Sequence, residues 1–259
     1  MKYKTQVLVD RLVPILSQWP GVECVILNEA ALPDTLDPYF ALILDVFYGG
    51  VIPPPKDREH LYGNDISAFE TSNQEKKDRF LAGDLPVRIE YKTIGQIEEL
   101  VSFLDVKRES MWLIKDSGTY GFYRLAEGKI LFSRSGWITT IQSRLSCPED
   151  EFWSRLREAN QSKMEHFLSD LGAALIQEDD FYYLISSASF IKYACLTLFC
   201  LNHRFEPSHR AYYNQARELP VLPESFPAQL ETFLNSGSET TMERKYVLAQ
   251  LIARAIVAM

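Results

Sequence analysis

Strand-type patterns stop midway along this chain of 259 residues. Residues 22–27, 39–48 and 86–92 are short apolar or alternating runs bounded by Gly and Pro, as is typical of strands. Beyond Ser146 the apolar residues recur only at helical spacing, and Ser146-Cys-Pro-Glu149 has the form of a capping box. The sequence therefore predicts an α+β domain over residues 1–146, followed by an all-α helical bundle over residues 147–259.

The first half is expected to be a mixed β-sheet with flanking helices. Helical spacing covers residues 4–18 and 94–104, and the polar stretch 56–84 is expected to form loops and a surface helix. The runs 111–115, 119–125 and 129–133 are expected to be strands, with a hairpin turn at Glu127-Gly128.

Composition excludes some partners and favours one compartment. The chain has 27 Lys+Arg against 35 Asp+Glu, a formal net charge of −8, so it lacks the positive surplus that drives nucleic-acid binding. Its four cysteines form no Cys-x-x-Cys pair, which suits reduced thiols. The N-terminus has no secretory apolar region. We therefore expect a cytoplasmic protein without nucleic acid as a partner.

One segment has the length and apolarity of a membrane span. Residues 182–201 carry a single charge, Lys192, at their centre. A lysine in that position costs about 2.5–3.5 kcal/mol on insertion scales. The segment is therefore expected to be a core helix, with no membrane as a partner.

Two predicted strands carry an acidic residue among apolar neighbours. Asp45 lies in the run Ile-Leu-Asp-Val-Phe, and alternation places it on the same side as Ile43. Glu90 lies in an alternating strand, where Arg88 and Lys92 share its side. A buried carboxylate needs a partner, so each acid marks a site that is either a structural ion pair or functional.

The segments LDPYFALILDVFYGG and LPVRIEYKTIGQIEELV resemble the second and third core strands of the nucleotidyltransferase superfamily, and LTLFCLNHRFEPSHRAYY resembles the helical C-terminal domain of a divergent branch. The resemblance implies Mg²⁺ held by Asp45 and Glu90, with Asp37 as a possible third ligand. It implies transfer of a nucleoside monophosphate from a nucleoside triphosphate to a hydroxyl of a small molecule or protein.

The same resemblance suggests residues that bind the nucleotide. Asn28 follows the first strand, where the superfamily holds phosphates, and Arg88 and Lys92 flank Glu90. Lys56 and Arg58 follow a triple proline in a segment expected to be a surface loop, where they either contact the triphosphate beside the metal site or are simply solvated.

The chain departs from the superfamily pattern in two places. The glycine-serine pair after the first strand is absent, and Ile43 stands where an acid would precede Asp45 by two residues. A catalytically inactive module of the same fold, binding a nucleotide or a protein, is therefore the alternative. A structural subunit is a third possibility, favoured if the last helix exposes an apolar face around Leu251, Ile252, Ile256 and Val257.

Overall fold

A computed structural model of the chain describes residues 3–30, 42–104, 118–235 and 241–259. The chain divides into two compact units. The first comprises Met1–Asp105 with Arg124–Cys147, and the second comprises Val106–Tyr123 with Pro148–Met259. Each unit is built around its own buried apolar cluster.

The described part of the first unit contains six strands and five helices. The elements are α1 (Tyr3–Ser17), β1 (Val22–Ala30), β2 (Leu42–Tyr48), α2 (Pro55–Leu61), β3 (Ile66–Thr71), β4 (Lys77–Ala82), β5 (Leu85–Thr93), α3 (Ile94–Ser102), α4 (Tyr120–Glu127), β6 (Lys129–Ser133) and α5 (Trp137–Leu145). The strands form one mixed sheet in the order β3-β4-β5-β2-β1-β6. Strands β2 and β5 run parallel, and the other neighbouring pairs are antiparallel. Helix α4 begins in the second unit and ends in the first.

The two faces of the sheet differ in chemistry. One face is apolar and packs against α1, because alternate residues of β2 and β5, such as Leu44 and Ile89, are fully buried in the same cluster. The residues between them point to the other face, where Asp45 is the register partner of Glu90. The fold is α+β, as the sequence predicts.

Two segments of the first unit differ from the sequence-based expectation. Residues 56–84 contain a helix, α2, as expected, but also the hairpin β3–β4 where loops are expected. Most of β3 is exposed or half-buried at the sheet edge, so it lacks the apolar alternation that marks a strand. Residues 120–127 form helix α4 where a strand is expected, since tertiary packing overrides the β propensity of its aromatic residues. Residues 111–115 lie outside the described residues.

The described part of the second unit is helical. Its elements are α6 (Asp150–Gln177), α7 (Asp180–Leu201), α8 (Tyr212–Arg217), α9 (Phe226–Leu234) and α10 (Met242–Val257). The capping box expected at Ser146 does not form: Ser146 ends α5, and α6 begins after Glu149 without a side-chain cap. Thr241 caps α10 by accepting a hydrogen bond from the Arg244 backbone N–H.

Helix α7 is long and apolar enough to cross a membrane by length and composition, and it is the one such helix in the described residues. Its C-terminal half lies in the bundle core, where Phe190, Ala194 and Leu198 are fully buried. Its first turns expose Phe181 and Leu184. Half of its most apolar window is therefore buried within the protein.

The last helix, α10, carries the four apolar residues that would form an exposed face in a structural subunit, but only two of them are exposed. Ile252 and Ile256 are buried in the bundle core, whereas Leu251 and Val257 are exposed. The helix therefore uses part of this stripe to pack within its own unit.

Candidate functional site

The two acids predicted from the sequence meet on one face of the sheet. Asp45 on β2 and Glu90 on β5 are direct register partners in the parallel pair, so their side chains leave the sheet side by side. Asp45 is fully buried and Glu90 is 9% exposed. Two adjacent buried carboxylates repel each other, and both stay ionised only if cations lie next to them.

Arg124 supplies the most buried of these cations. It comes from α4, and its guanidinium donates through Nη2 to Asp45 Oδ1 at 2.5 Å and through Nη1 to Glu90 Oε2 at 2.9 Å. The side chain is 9% exposed. Because the guanidinium is planar and permanently charged, it bridges the two carboxylates with one fixed geometry.

Three further cations approach from the strands. Lys92 Nζ lies 2.9 Å from Asp45 Oδ2 and 3.4 Å from Glu90 Oε2. Glu90 Oε1 lies 2.8 Å from Arg88 Nη2 and 3.7 Å from Lys77 Nζ. These side chains are more exposed than Arg124, at 17% for Arg88, 27% for Lys92 and 34% for Lys77. They form the solvent-facing side of the site.

Asn28 on β1 completes the arrangement by donating its side-chain amide to Asp45 Oδ2. Four of the residues predicted to bind the nucleotide or metal therefore come together near Asp45. They are Asn28 on β1 and Arg88, Glu90 and Lys92 on β5. The group, called the Asp45–Glu90 cluster below, consists of Asn28, Asp45, Lys77, Arg88, Glu90, Lys92 and Arg124.

The Asp45–Glu90 cluster carries a positive surplus. Four cations face two carboxylates, which leaves a formal charge of +4 − 2 = +2 in a protein whose net charge is −8. Burial by itself would raise the pKa of Glu90, but the charges of Arg124, Lys92, Arg88 and Lys77 outweigh it and lower that pKa to about 2. Glu90 is therefore ionised at every physiological pH.

The arrangement does not fit a magnesium ion. Mg²⁺ requires oxygen ligands in octahedral geometry, yet all four carboxylate oxygens of Asp45 and Glu90 already lie next to nitrogen donors. A divalent cation between the carboxylates would also lie beside four positive side chains. Within the described residues, no three Asp, Glu, His or Cys side chains gather as a possible metal site.

Two other predicted site residues, Lys56 and Arg58, are not brought into the Asp45–Glu90 cluster. The third predicted metal ligand, Asp37, lies outside the described residues. Lys56 is exposed near the start of α2. This helix lies on the opposite face of the sheet, because its Arg58 contacts Asp78, which alternates with Lys77 along β4.

The expectation that Arg58 is an exposed cation in a surface loop is wrong. Arg58 lies in α2, its side chain is 1% exposed, and it binds Asp78 with two hydrogen bonds of 2.8 and 2.9 Å. Further hydrogen bonds reach the carbonyl oxygens of Pro53 and Glu75. With its donors used inside the core, Arg58 is a structural residue that ties α2 to the β3–β4 hairpin.

Two tyrosines join this buried pair. The hydroxyls of Tyr62 and Tyr91 donate to Asp78 Oδ2 at 2.9 and 2.7 Å, and they also contact each other. Burial, with the nearby Asp78 charge, raises the pKa of both tyrosines well above the usual range. The two hydroxyls therefore remain neutral donors. We refer to Arg58, Tyr62, Asp78 and Tyr91 as the Asp78 network.

Sequence reasoning missed Arg124 and Lys77 as members of the site. Arg124 is 79 residues from Asp45 along the chain and lies in a segment that reads as a strand. Lys77 begins a strand that the polar sequence does not reveal, although its register places it opposite Glu90. The charge count gave no signal for either residue, because Arg88 and Lys92 already match the two carboxylates in formal charge.

Comparisons with known proteins support the fold. No protein-family model and no curated protein matches the chain. Among solved structures, the chain is similar to a nucleotidyltransferase-like protein from Exiguobacterium sibiricum 255-15, at 14% sequence identity and with a TM-score of 0.51. The match covers 97% of this chain and 74% of that one. The chain therefore has a nucleotidyltransferase-like fold, and at this identity the likeness extends to the fold alone.

Proposed function

We propose that this protein is a nucleotidyltransferase-fold module that binds the phosphate groups of a nucleotide directly, without a metal ion and without nucleotidyl transfer at Asp45 and Glu90. The observation that carries the proposal is the engagement of both carboxylates by cations, with Arg124 donating to each of them. The fold suggests the nucleotide, since the similar solved structure is named nucleotidyltransferase-like.

The exposed side of the Asp45–Glu90 cluster has the chemistry of an anion site. Arg88, Lys92 and Lys77 are partly exposed and lie on one face of the sheet. Arg79, which is exposed, is the register partner of Arg88 and adds a further positive charge beside them. A guanidinium and ammonium groups that converge in this way bind phosphate oxygens through charged hydrogen bonds.

The alternative is an active enzyme that transfers a nucleoside monophosphate from a metal-bound nucleoside triphosphate to a small-molecule or protein hydroxyl. That enzyme needs free carboxylate oxygens for magnesium. The two proposals therefore predict opposite effects of Asp45 and Glu90 on nucleotide affinity. The carboxylates would attract a metal–nucleotide complex, whereas they would repel a nucleotide that binds without metal.

Titration of the purified protein with ATP in EDTA and in Mg²⁺ tests the proposal. We expect binding in EDTA that is at least as tight as binding in Mg²⁺. Replacing Lys92 by Gln should weaken it about 10- to 100-fold, because one charged hydrogen bond to phosphate is worth about 1.5–3 kcal/mol. Replacing Glu90 by Gln should strengthen binding about 2- to 10-fold by removing a nearby negative charge.

The matched control is Lys56→Gln, which removes an exposed lysine on the other face of the sheet and should leave the ATP affinity unchanged. Circular dichroism checks that each variant is folded. Binding that requires Mg²⁺ and is lost in both Asp45→Asn and Glu90→Gln would contradict the proposal and favour the enzyme.

A further inference from the structure

We infer that Arg124 is a built-in substitute for a divalent cation: it bridges Asp45 and Glu90, and its side chain excludes a metal ion that the two carboxylates would otherwise bind. This role of Arg124 concerns a metal ion alone and is separate from nucleotide binding. Arg124 is then a positioning residue for the carboxylate pair, and it keeps a latent metal site closed in the wild-type chain.

The first step is the geometry of the bridge. Arg124 uses two different nitrogens to reach two different carboxylates, Nη2 to Asp45 Oδ1 and Nη1 to Glu90 Oε2. One positive group thereby satisfies one oxygen of each acid. A divalent cation shared by two carboxylates makes the same kind of connection, since it also accepts one oxygen from each acid.

The second step is the difference between Arg124 and the other cations of the Asp45–Glu90 cluster. Arg88 and Lys92 lie on β5, the strand of Glu90 itself, Lys77 lies on the neighbouring β4, and all three are 17–34% exposed. Arg124 is the most buried of the four and comes from helix α4, outside these strands. Removing its side chain therefore leaves the strand cations in place and opens a space next to Asp45 Oδ1 and Glu90 Oε2.

The third step is the chemistry of that space. Asp45 Oδ1 would lose the donor that Arg124 supplies, and among the described residues Glu90 Oε2 would keep only Lys92, at 3.4 Å. Lys92, Arg88 and Lys77 would still face the two acids from the exposed side, but these two buried oxygens would have lost their closest donor. A hard cation with its remaining water ligands can take the place of that donor. We therefore expect a divalent ion to rescue an Arg124 variant and to leave the wild type unaffected.

The test measures the melting temperature of the full chain against Mn²⁺ concentration at constant ionic strength. Without metal, Arg124→Ala should melt below the wild type. With Mn²⁺ at about ten times its dissociation constant, its melting temperature should rise by about 3–5 °C, while that of the wild type stays constant. The rise should disappear in the double variant Arg124→Ala/Glu90→Gln, which lacks one of the two ligands.

Arg124→Lys is the matched control, because it keeps a positive charge at the same position and should remain insensitive to Mn²⁺. No rise in Arg124→Ala, or an equal rise in the double variant, overturns the inference. If Arg124→Ala does not fold, the wild type decides: Mn²⁺ binding followed by electron paramagnetic resonance should be absent, and binding that Asp45→Asn removes overturns the inference.

Discussion

Replacing Asp78 by Asn is expected to lower the free energy of unfolding of the first unit by about 3–5 kcal/mol, the range for breaking a buried ion pair by removing one partner. The substitution keeps the shape of the side chain and removes its charge. Arg58, which is 1% exposed, then remains charged in the core without a counter-ion. The hydroxyls of Tyr62 and Tyr91 also lose the ionised acceptor that they share.

Urea unfolding, followed by circular dichroism and tryptophan fluorescence, measures this loss. The fluorescence signal includes the first unit, since Trp19 lies 6.2 Å from Tyr91 of the Asp78 network, ring centre to ring centre. Asp84→Asn is the control: it makes the same chemical change at an exposed position between β4 and β5, and should cost less than about 0.5 kcal/mol. A loss below about 1 kcal/mol for Asp78→Asn would show that Arg58 is not the buried, paired charge described here.

A second large effect is expected for the contribution of Glu90 to stability, which should be lost at acidic pH. A carboxyl whose pKa falls from 4.5 to about 2 on folding contributes about 3 kcal/mol to the free energy of unfolding. The sign follows from the lowered pKa. The contribution is complete above the unfolded pKa, near 4.5, and is lost as the pH falls from there through about 2, because the unfolded state takes up the proton first.

The measurement compares the wild type with Glu90→Gln across pH 7 to 2. The difference in the free energy of unfolding should be constant down to about pH 5 and then shrink steadily toward pH 2. Glu70→Gln is the control, because Glu70 is exposed on the edge strand β3 and should differ from the wild type by less than about 0.5 kcal/mol. A difference for Glu90→Gln that does not change with pH would contradict the ion-pair arrangement around Glu90.

Much of the fold follows from local patterns. The period of two along β5 is enough to put Arg88 and Lys92 beside Glu90, and the apolar run of β2 is enough to mark Asp45 as a buried acid. The loss of that period after Ser146 is likewise enough to predict the helical second half. These features depend on residues close together in the chain, so a single sequence contains them.

The segments that were predicted incorrectly depend on distant partners. The β3–β4 hairpin is largely polar on its exposed side. Its core-facing residue Asp78 is stabilised by Arg58, 20 residues earlier, and by the hydroxyls of Tyr62 and Tyr91. Helix α4 has aromatic residues that favour a strand, and its conformation is set by packing. In neither segment does the local sequence pattern show the distant residues against which the segment packs.

The sequence by itself determined that two carboxylates lie in apolar strands and therefore need positive partners, because the cost of burying a charge does not depend on the details of the fold. Only the tertiary structure decided which partners they receive. Arg124 reaches Asp45 across 79 residues of chain, and Arg58 turns to the opposite face of the sheet. The physical reason is that each arginine pairs with an acid far from it in the chain, so that no local pattern shows which acid it reaches.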